Sequence, residues 1–177
     1  MATIKLKVSI KGISPLLMHS FPLVAPEAIE KKTPAEQAEY SAYRDPDGQL
    51  YIPGLNIQRA FVSAATYSKG KGRGSLQRQV AACVFVTPER VLLGVKEYVI
   101  DSRAVVIAAT KGRIVRHRPK LETWAVTFGV EYDDTLMTET QVRRIVDDTG
   151  SRVGLLDFRP EKKGPFGRFI VTAWETE

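Results

Sequence analysis

The chain has 177 residues, of which 44% are hydrophobic and 26% charged, a composition that argues against wholesale disorder or a fibrous class. This length suits one domain, which we expect to span residues 1–177. The formal net charge of +6 favours anionic partners without naming one. The one cysteine, Cys83, excludes an internal disulfide, and its apolar neighbours predict a buried structural thiol.

The first predicted element is a strand over residues 3–10, where apolar and polar residues alternate. This pattern differs from the apolar block of a signal peptide, and no window approaches the roughly 18 apolar residues of a membrane span. We therefore expect a cytoplasmic protein with no membrane partner. Residues 19–48 follow as a long irregular connection with one short helix near residues 35–43. Within it, residues 45–48 (Asp-Pro-Asp-Gly) are typical of a turn.

A short strand at residues 49–52 leads into the first long predicted helix. Its apolar stripe has helical spacing and consists of Ile57, Ala60, Phe61, Ala64 and Ala65. We expect this helix to end near Ser68, because a basic, glycine-rich loop follows. The apolar run at residues 80–86 then predicts a buried strand, and residues 91–95 predict another.

Residues 98–123 predict a long β-hairpin, or thumb, with a basic tip near residues 110–113 and a further strand after it. Beyond that strand, Thr138 and Gln141 match the capping box that starts a helix. Gly150 is placed to end the helix in a left-handed conformation.

Removing the hairpin leaves the order βαββαβ. We therefore predict an α+β fold, ferredoxin-like or RRM-like, in which two helices cover an antiparallel sheet and the hairpin protrudes as an insertion.

Half of the 26 lysines and arginines fall in three short segments that contain only one acidic residue, Glu161. The three segments hold Lys69, Lys71, Arg73 and Arg78; Lys111, Arg113, Arg116, Arg118 and Lys120; and Arg159, Lys162, Lys163 and Arg168. Like charges repel one another when they are clustered, so binding to a phosphate backbone would account for this arrangement. Three solvated turns are the alternative.

The last basic segment belongs to a glycine-rich loop, residues 154–168, that precedes a final strand. Glycine lets backbone approach a ligand closely, and the interleaved cations favour a polyanion. Phe166 lies between Pro165 and Gly167, and we expect it to be exposed and able to stack on a base.

Three stretches in this order resemble the repeat-associated (RAMP) proteins of CRISPR systems: residues 12–17 (Gly-Ile-Ser-Pro-Leu-Leu), residues 51–61 with Ile-Pro-Gly at the first helix, and residues 154–169. The similarity is greatest to the backbone subunits that coat a guide RNA. It implies an RRM-like palm, a glycine-rich loop beside the last strand and a hairpin thumb. A small stand-alone or phage-borne relative with the same palm is the alternative that suits the length.

Together these observations predict a non-catalytic protein that binds single-stranded nucleic acid through its backbone, with RNA favoured over DNA by the resemblance alone. The resemblance also implies head-to-tail copies along the strand and other CRISPR effector subunits as partners. The expected nucleic-acid-binding residues are Lys69, Lys71, Arg73, Arg78, Lys111, Arg113, Arg116, His117, Arg118, Arg159, Lys162, Lys163, Phe166 and Arg168. No catalytic residue, metal ligand or cofactor is predicted.

Two alternatives stay open. An endoribonuclease of RAMP type could use His19 or His117 as a general base, although each is an isolated histidine in the sequence. Acid-assisted cleavage could draw on a carboxylate of the long connection, which contains Glu27, Glu30, Asp45 and Asp47. Alternatively, the basic segments could dock on an acidic protein.

Overall fold

The computed structural model describes residues 2–70, 72 and 74–177. Among these residues the strands are β1 (Thr3–Gly12), β2 (Leu16–Leu17), β3 (Tyr51–Pro53), β4 (Val84–Thr87), β5 (Arg90–Leu92), β6 (Val99–Val106), β7 (Arg113–Leu121), β8 (Ala125–Asp133) and β9 (Phe169–Thr176). The α-helices are α1 (Pro26–Glu30), α2 (Pro34–Tyr40), α3 (Gly54–Ala64), α4 (Gln77–Cys83) and α5 (Glu139–Asp148). None of the helices formed by the described residues is long and apolar enough to cross a membrane.

Strands β4, β8, β1 and β9, in that order, form a four-stranded antiparallel sheet. The central strand β1 pairs with β8 from Thr3 opposite Asp133 to Lys11 opposite Ala125, and with β9 on its other side. Helix α3 joins β1 to β4 across β8, and α5 joins β8 to β9 across β1. These two split βαβ units make the ferredoxin-like arrangement, so the predicted α+β fold is confirmed.

The core lies between this sheet and helices α3 and α5. The predicted alternation in β1 is confirmed, because Leu6, Val8 and Ile10 are buried. Phe61 of α3 is fully buried, and its ring centroid lies 6.2 Å from that of Phe128 on β8. Apolar residues repeat every two positions in the strand and every 3.6 positions in the helix, so each element has one apolar side, and these sides pack against each other.

Helix α5 begins as the capping box predicts, but the helical backbone continues beyond its last residue, Asp148. Thr138 Oγ1 accepts from the backbone N–H of Gln141, whose Oε1 accepts from the N–H of Thr138 at 2.9 Å. The chain then continues through a π-helical turn, and the positive φ of 75° falls on Gly154. The prediction for Gly150 is wrong, because this glycine makes room for β9: a Cβ there would lie 2.2 Å from the Phe169 carbonyl oxygen.

Residues 80–86 do not form one strand. The stretch splits at Cys83 into helix α4 and strand β4. Val80 and Cys83 are buried three residues apart while Ala81 and Ala82 are exposed, which is a helical pattern. A short apolar run cannot distinguish a strand from one buried helical turn. As predicted, the Cys83 thiol is buried, and burial raises its pKa.

The long connection between β2 and β3 contains two short helices, α1 and α2, where one was predicted. Thr33 caps α2 in a capping box with Glu36. The predicted turn after α2 is present: Asp45 Oδ1 accepts from the backbone N–H groups of Asp47 and Gln49, at 3.0 and 2.8 Å. Helix α2 packs against β7, so this connection supports the hairpin.

The predicted hairpin consists of β6 and β7, and β2 extends it to a three-stranded sheet. Because side chains alternate along a strand, Arg116 and Arg118 lie on one face of β7 while Arg113 and His117 lie on the other. The cations that are dense in the sequence are therefore divided between two faces.

Candidate nucleic-acid interface

The hairpin and the glycine-rich loop are joined by an ion pair between Arg118 of β7 and Asp157. The Arg118 side chain is only 6% exposed, and its guanidinium donates to the Asp157 carboxylate. His19, from the loop after β2, places its Nδ1 3.5 Å from Asp157 Oδ2. Burial opposes ionisation of Asp157, but His19 and the charge of Arg118 outweigh it and hold the pKa of this carboxyl below its usual value. Three segments distant in sequence therefore meet at one carboxylate.

A second contact between hairpin and loop is formed by Arg103, which the sequence did not single out. Its guanidinium lies over the rings of Phe158 and Phe166, 5.4 and 4.9 Å from their centroids. It also donates twice to Asp101, at 2.6 and 2.7 Å, and these hydrogen bonds hold the pKa of Asp101 below its usual value. The signal in the sequence is the spacing of two, which puts Asp101 and Arg103 on one face of β6.

Phe166 is 7% exposed, so the prediction that it is exposed is wrong. Its ring meets Phe158 at a centroid distance of 5.9 Å and is covered by Arg103. The neighbouring Pro165 and Gly167 indicate a turn, but Phe158 of the same loop and Arg103, from a strand some 60 residues away in sequence, cover the ring. In this arrangement the ring packs the loop against the hairpin.

The glycines of the loop make room for the protein's own backbone. A Cβ on Gly164 would lie 1.9 Å from the carbonyl oxygen of Phe158, and one on Gly167 would lie 2.0 Å from that of Leu155. The N–H of Gly167 donates to the carbonyl of Pro15 at 2.8 Å, which ties the loop to the turn after β1. The glycines were expected to let the backbone approach a ligand closely; in the structure they let it approach another part of the same chain.

The root of the hairpin is held by a polar cluster that the sequence also did not single out. The Tyr98 hydroxyl donates to Glu39 of α2 at 2.7 Å, and burial together with this hydrogen bond raises the pKa of Tyr98 to about 12. Arg44 pairs with Glu39 and lies over the Tyr98 ring, 5.4 Å from its centroid. The cluster fixes the start of β6 relative to α2.

The predicted binding residues differ in exposure. The exposed ones are Lys69, Arg78, Lys111, Arg113, Lys162, Lys163 and Arg168. Arg116, His117 and Arg159 are partly exposed, whereas Arg118 is buried. Lys71 and Arg73 lie outside the described residues. The Arg159 guanidinium donates to Glu161 and to the Leu156 carbonyl, so it is less available to bind a phosphate than Lys162 and Lys163 are.

One cation of the second basic segment, Arg118, and one of the third, Lys162, line a common cleft of about 280 Å³. The hairpin contributes Arg103 and Arg118 to its lining, and the loop contributes Asp157, Phe158 and Lys162. Lys69 of the first basic segment lies elsewhere, beside α5, and lines a different pocket with Gln141 and Arg144. The structure therefore brings two of the three segments together.

His19 and His117, isolated in the sequence, line one cavity of about 190 Å³ with Arg116. Asp157 lies at Nδ1 of His19, and the Ser102 hydroxyl lies 2.7 Å from Nδ1 of His117. The other lining residues are mostly apolar: Phe21, Pro22, Val24, Pro26, Ile29 and Tyr40, with Gln37 and Ser41. No group of three or more potential metal-ligating His, Cys, Asp or Glu residues occurs within residues 2–70, 72 and 74–177.

Solved structures share this fold. A chain in the cryo-EM structure of the Type III-B Cmr-beta bound to cognate target RNA matches with a TM-score of 0.55 and 14% sequence identity. The match covers 98% of the present chain and 60% of that chain, so the protein spans about three fifths of the length of the chain it resembles. This likeness shows a shared fold. No family model and no curated protein matches the sequence.

Proposed function

We propose that the protein binds single-stranded nucleic acid, RNA ahead of DNA, largely independently of sequence. The observation that supports this most is the joining of the hairpin to the glycine-rich loop, which brings Arg118 and Lys162 of two basic segments to one cleft. Among the described residues, no ion pair involves Lys111, Arg113, Arg116, Lys162, Lys163 or Arg168. Charges without a protein partner can neutralise phosphates at little cost.

The cleft supports binding that is largely independent of sequence. Its cations come from a narrow hairpin and a loop, and its walls include Val105 and Val106 of β6. Phosphate contacts of this kind release counterions and depend on salt, but they carry no sequence information. The similarity to a chain of an RNA-bound complex supports the choice of RNA over DNA in this proposal.

Several copies in head-to-tail order along one strand, as in a CRISPR effector backbone, are the companion proposal. The exposed hairpin of one copy would reach the next, a heterologous contact that does not close on itself. Size-exclusion chromatography with light scattering tests it: mass should rise in steps with oligonucleotide length. A monomer at every length contradicts it.

Charge reversal at Lys111, Arg113 and Arg116 tests the interface. Fluorescence anisotropy with labelled single-stranded RNA should show at least tenfold weaker binding and a flatter salt dependence, because about three phosphate contacts are lost. The matched control reverses Lys5, Lys7 and Lys11, three exposed lysines on the open face of the main sheet. Equal losses in both variants would contradict the hairpin assignment, and binding only to acidic protein would favour the docking alternative.

Metal-independent RNA cleavage is a second candidate function, favoured by the cavity that His19 and His117 share. With Nδ1 of His19 held by Asp157, its Nε2 can take the proton of a 2′-hydroxyl while that oxygen attacks the phosphorus. His117, protonated, gives a proton to the departing 5′-oxygen, and Arg116 faces the phosphate charge. The products are a 2′,3′-cyclic phosphate and a 5′-hydroxyl.

This candidate is tested with single-stranded RNA in EDTA. Cleavage should disappear in His19→Ala and His117→Ala while anisotropy still reports binding, and RNA with a 2′-deoxy residue at the cut should resist. Intact RNA after prolonged incubation with the wild-type protein would leave binding as the function.

A further inference from the structure

The segment between α3 and α4 forms, together with α5, a pocket of about 320 Å³. Its polar lining comes from Ser68 and Lys69 on one side and from Gln141 and Arg144 of α5 on the other. No carboxylate is among the lining residues that the structure describes. A pocket whose side chains can offer hydroxyl, amide, ammonium and guanidinium donors suits an anion.

Ser68 is the strongest sign of a missing ligand. The residue is 7% exposed, and its Oγ is buried without a hydrogen-bond partner among residues 2–70, 72 and 74–177. A hydroxyl left in this state is uncommon in native proteins. At the opposite wall, Gln141 uses its Oε1 to accept from Thr138 in the helix cap, which leaves its amide NH₂ as a donor.

The charge around this pocket is positive. Arg144 and Arg152 share one carboxylate, that of Asp148, at 3.9 and 3.4 Å. Lys69 adds a third cation, for which no ion pair occurs among the described residues. Arg152 also lies over the ring of Tyr67, 4.6 Å from its centroid, and this ring is 47% exposed at the rim of the pocket.

We propose that this pocket, the α5 pocket, binds a phosphodiester group of a nucleic-acid strand, with the exposed part of Tyr67 as a stacking surface for the adjoining base. Ser68 and Gln141 donate hydrogen bonds to the phosphate, while Lys69 and Arg144 supply charge. The inference rests on the proposed function and extends its interface, since Arg152 precedes the glycine-rich loop by only two residues.

Neighbouring arginines of α5 provide a matched test. Arg144 lines the pocket, whereas Arg143 pairs with Asp147 at 3.1 Å and lies over the ring of Trp174. Anisotropy with a labelled 20-nucleotide RNA is measured against salt for R144E and R143E. We expect R144E to raise the Kd about tenfold and to flatten the slope of log K against log salt by about 0.7, the value for one single-strand phosphate. R143E should stay within about twofold of wild type.

Ser68→Ala removes the hydroxyl without changing the charge, so it should raise the Kd several-fold and leave the slope unaltered. Thermal melting of each variant reports whether the fold is retained. Equal behaviour of R144E and R143E, in a protein whose wild type binds RNA, would overturn the α5 pocket and leave the hairpin interface standing.

Inorganic phosphate separates the two possible sources of the anion. In NMR spectra, millimolar phosphate should move the Gln141 side-chain amide only weakly, and RNA should move it strongly. A wild type that fails to bind RNA overturns the proposed function and this inference together. If the same protein still binds phosphate at Gln141, the pocket is a site for a small anion and the nucleic-acid assignment is wrong.

Discussion

Arg118→Met tests whether a buried ion pair holds the hairpin to the glycine-rich loop. Methionine retains much of the volume but leaves the Asp157 carboxylate without its guanidinium. Removing one partner of a fully buried pair costs about 3–5 kcal/mol. Asp157 is 30% exposed and keeps His19 as a neighbour, so we expect a loss of about 2–3 kcal/mol at pH 7. For a chain of this size that corresponds to a fall in Tm of about 4–12 °C.

The pH dependence supplies an independent check. The folded state lowers the pKa of Asp157 below its usual 3.8. Such a group contributes its stabilisation in full above the unfolded pKa and loses it as the pH falls through the folded pKa. The difference in unfolding free energy between wild type and Arg118→Met should therefore be constant from pH 7 to about pH 5 and shrink below about pH 4.

Denaturant and thermal unfolding, followed by circular dichroism at pH 7 and pH 3, measure both effects. Arg116→Met is the matched control, since this less buried arginine lies two residues away on the same face of β7 and should change stability by at most about 0.5 kcal/mol. Adding Asp157→Asn to Arg118→Met should restore about 1 kcal/mol by removing the uncompensated charge. A loss below about 0.5 kcal/mol, or an equal loss at both pH values, would refute the reasoning.

Three further substitutions, one of them with a matched control, test the packing and a helix cap. Gly164→Ala should cost about 3 kcal/mol or more, since its Cβ would lie 1.9 Å from a backbone oxygen, whereas Gly74→Ala, which meets nothing within 4 Å among the described residues, should be nearly neutral in the same melt. Thr138→Ala should lower the free energy of unfolding by about 1 kcal/mol through loss of the α5 cap, and an unchanged midpoint in urea would contradict this. Phe61→Ala should cost about 3–5 kcal/mol because its ring is fully buried, and a loss under about 1 kcal/mol would show that the site is not part of the core.

The secondary-structure elements that depend on residues close together in the sequence were predictable. The alternation in residues 3–10 indicated β1, and the Thr138 and Gln141 pair indicated the start of α5. The order of these elements was enough for the ferredoxin-like fold. At residues 80–86 the prediction of one strand was wrong, because a short apolar run in the sequence suits a buried helical turn as well as a strand.

The candidate interface was predictable only as a set of cations. Their alternation along β7 already divided Arg116 and Arg118 from Arg113 and His117, but the sequence did not say which face meets the glycine-rich loop. Little in the sequence indicated that Arg103 contacts the glycine-rich loop, because its partners Phe158 and Phe166 lie more than 50 residues away.

The sequence by itself determined most of the strands, the two main helices and the positive charge of the hairpin and loops, since periodicity and capping act over a few residues. Only the tertiary structure decided that Phe166 is buried, that Arg118 neutralises Asp157, and that Gly164 admits the protein's own backbone. It also brought His19 and His117 to one cavity. Such pairings depend on contacts between segments far apart in the chain, whose partners are chosen by the packing of the whole fold.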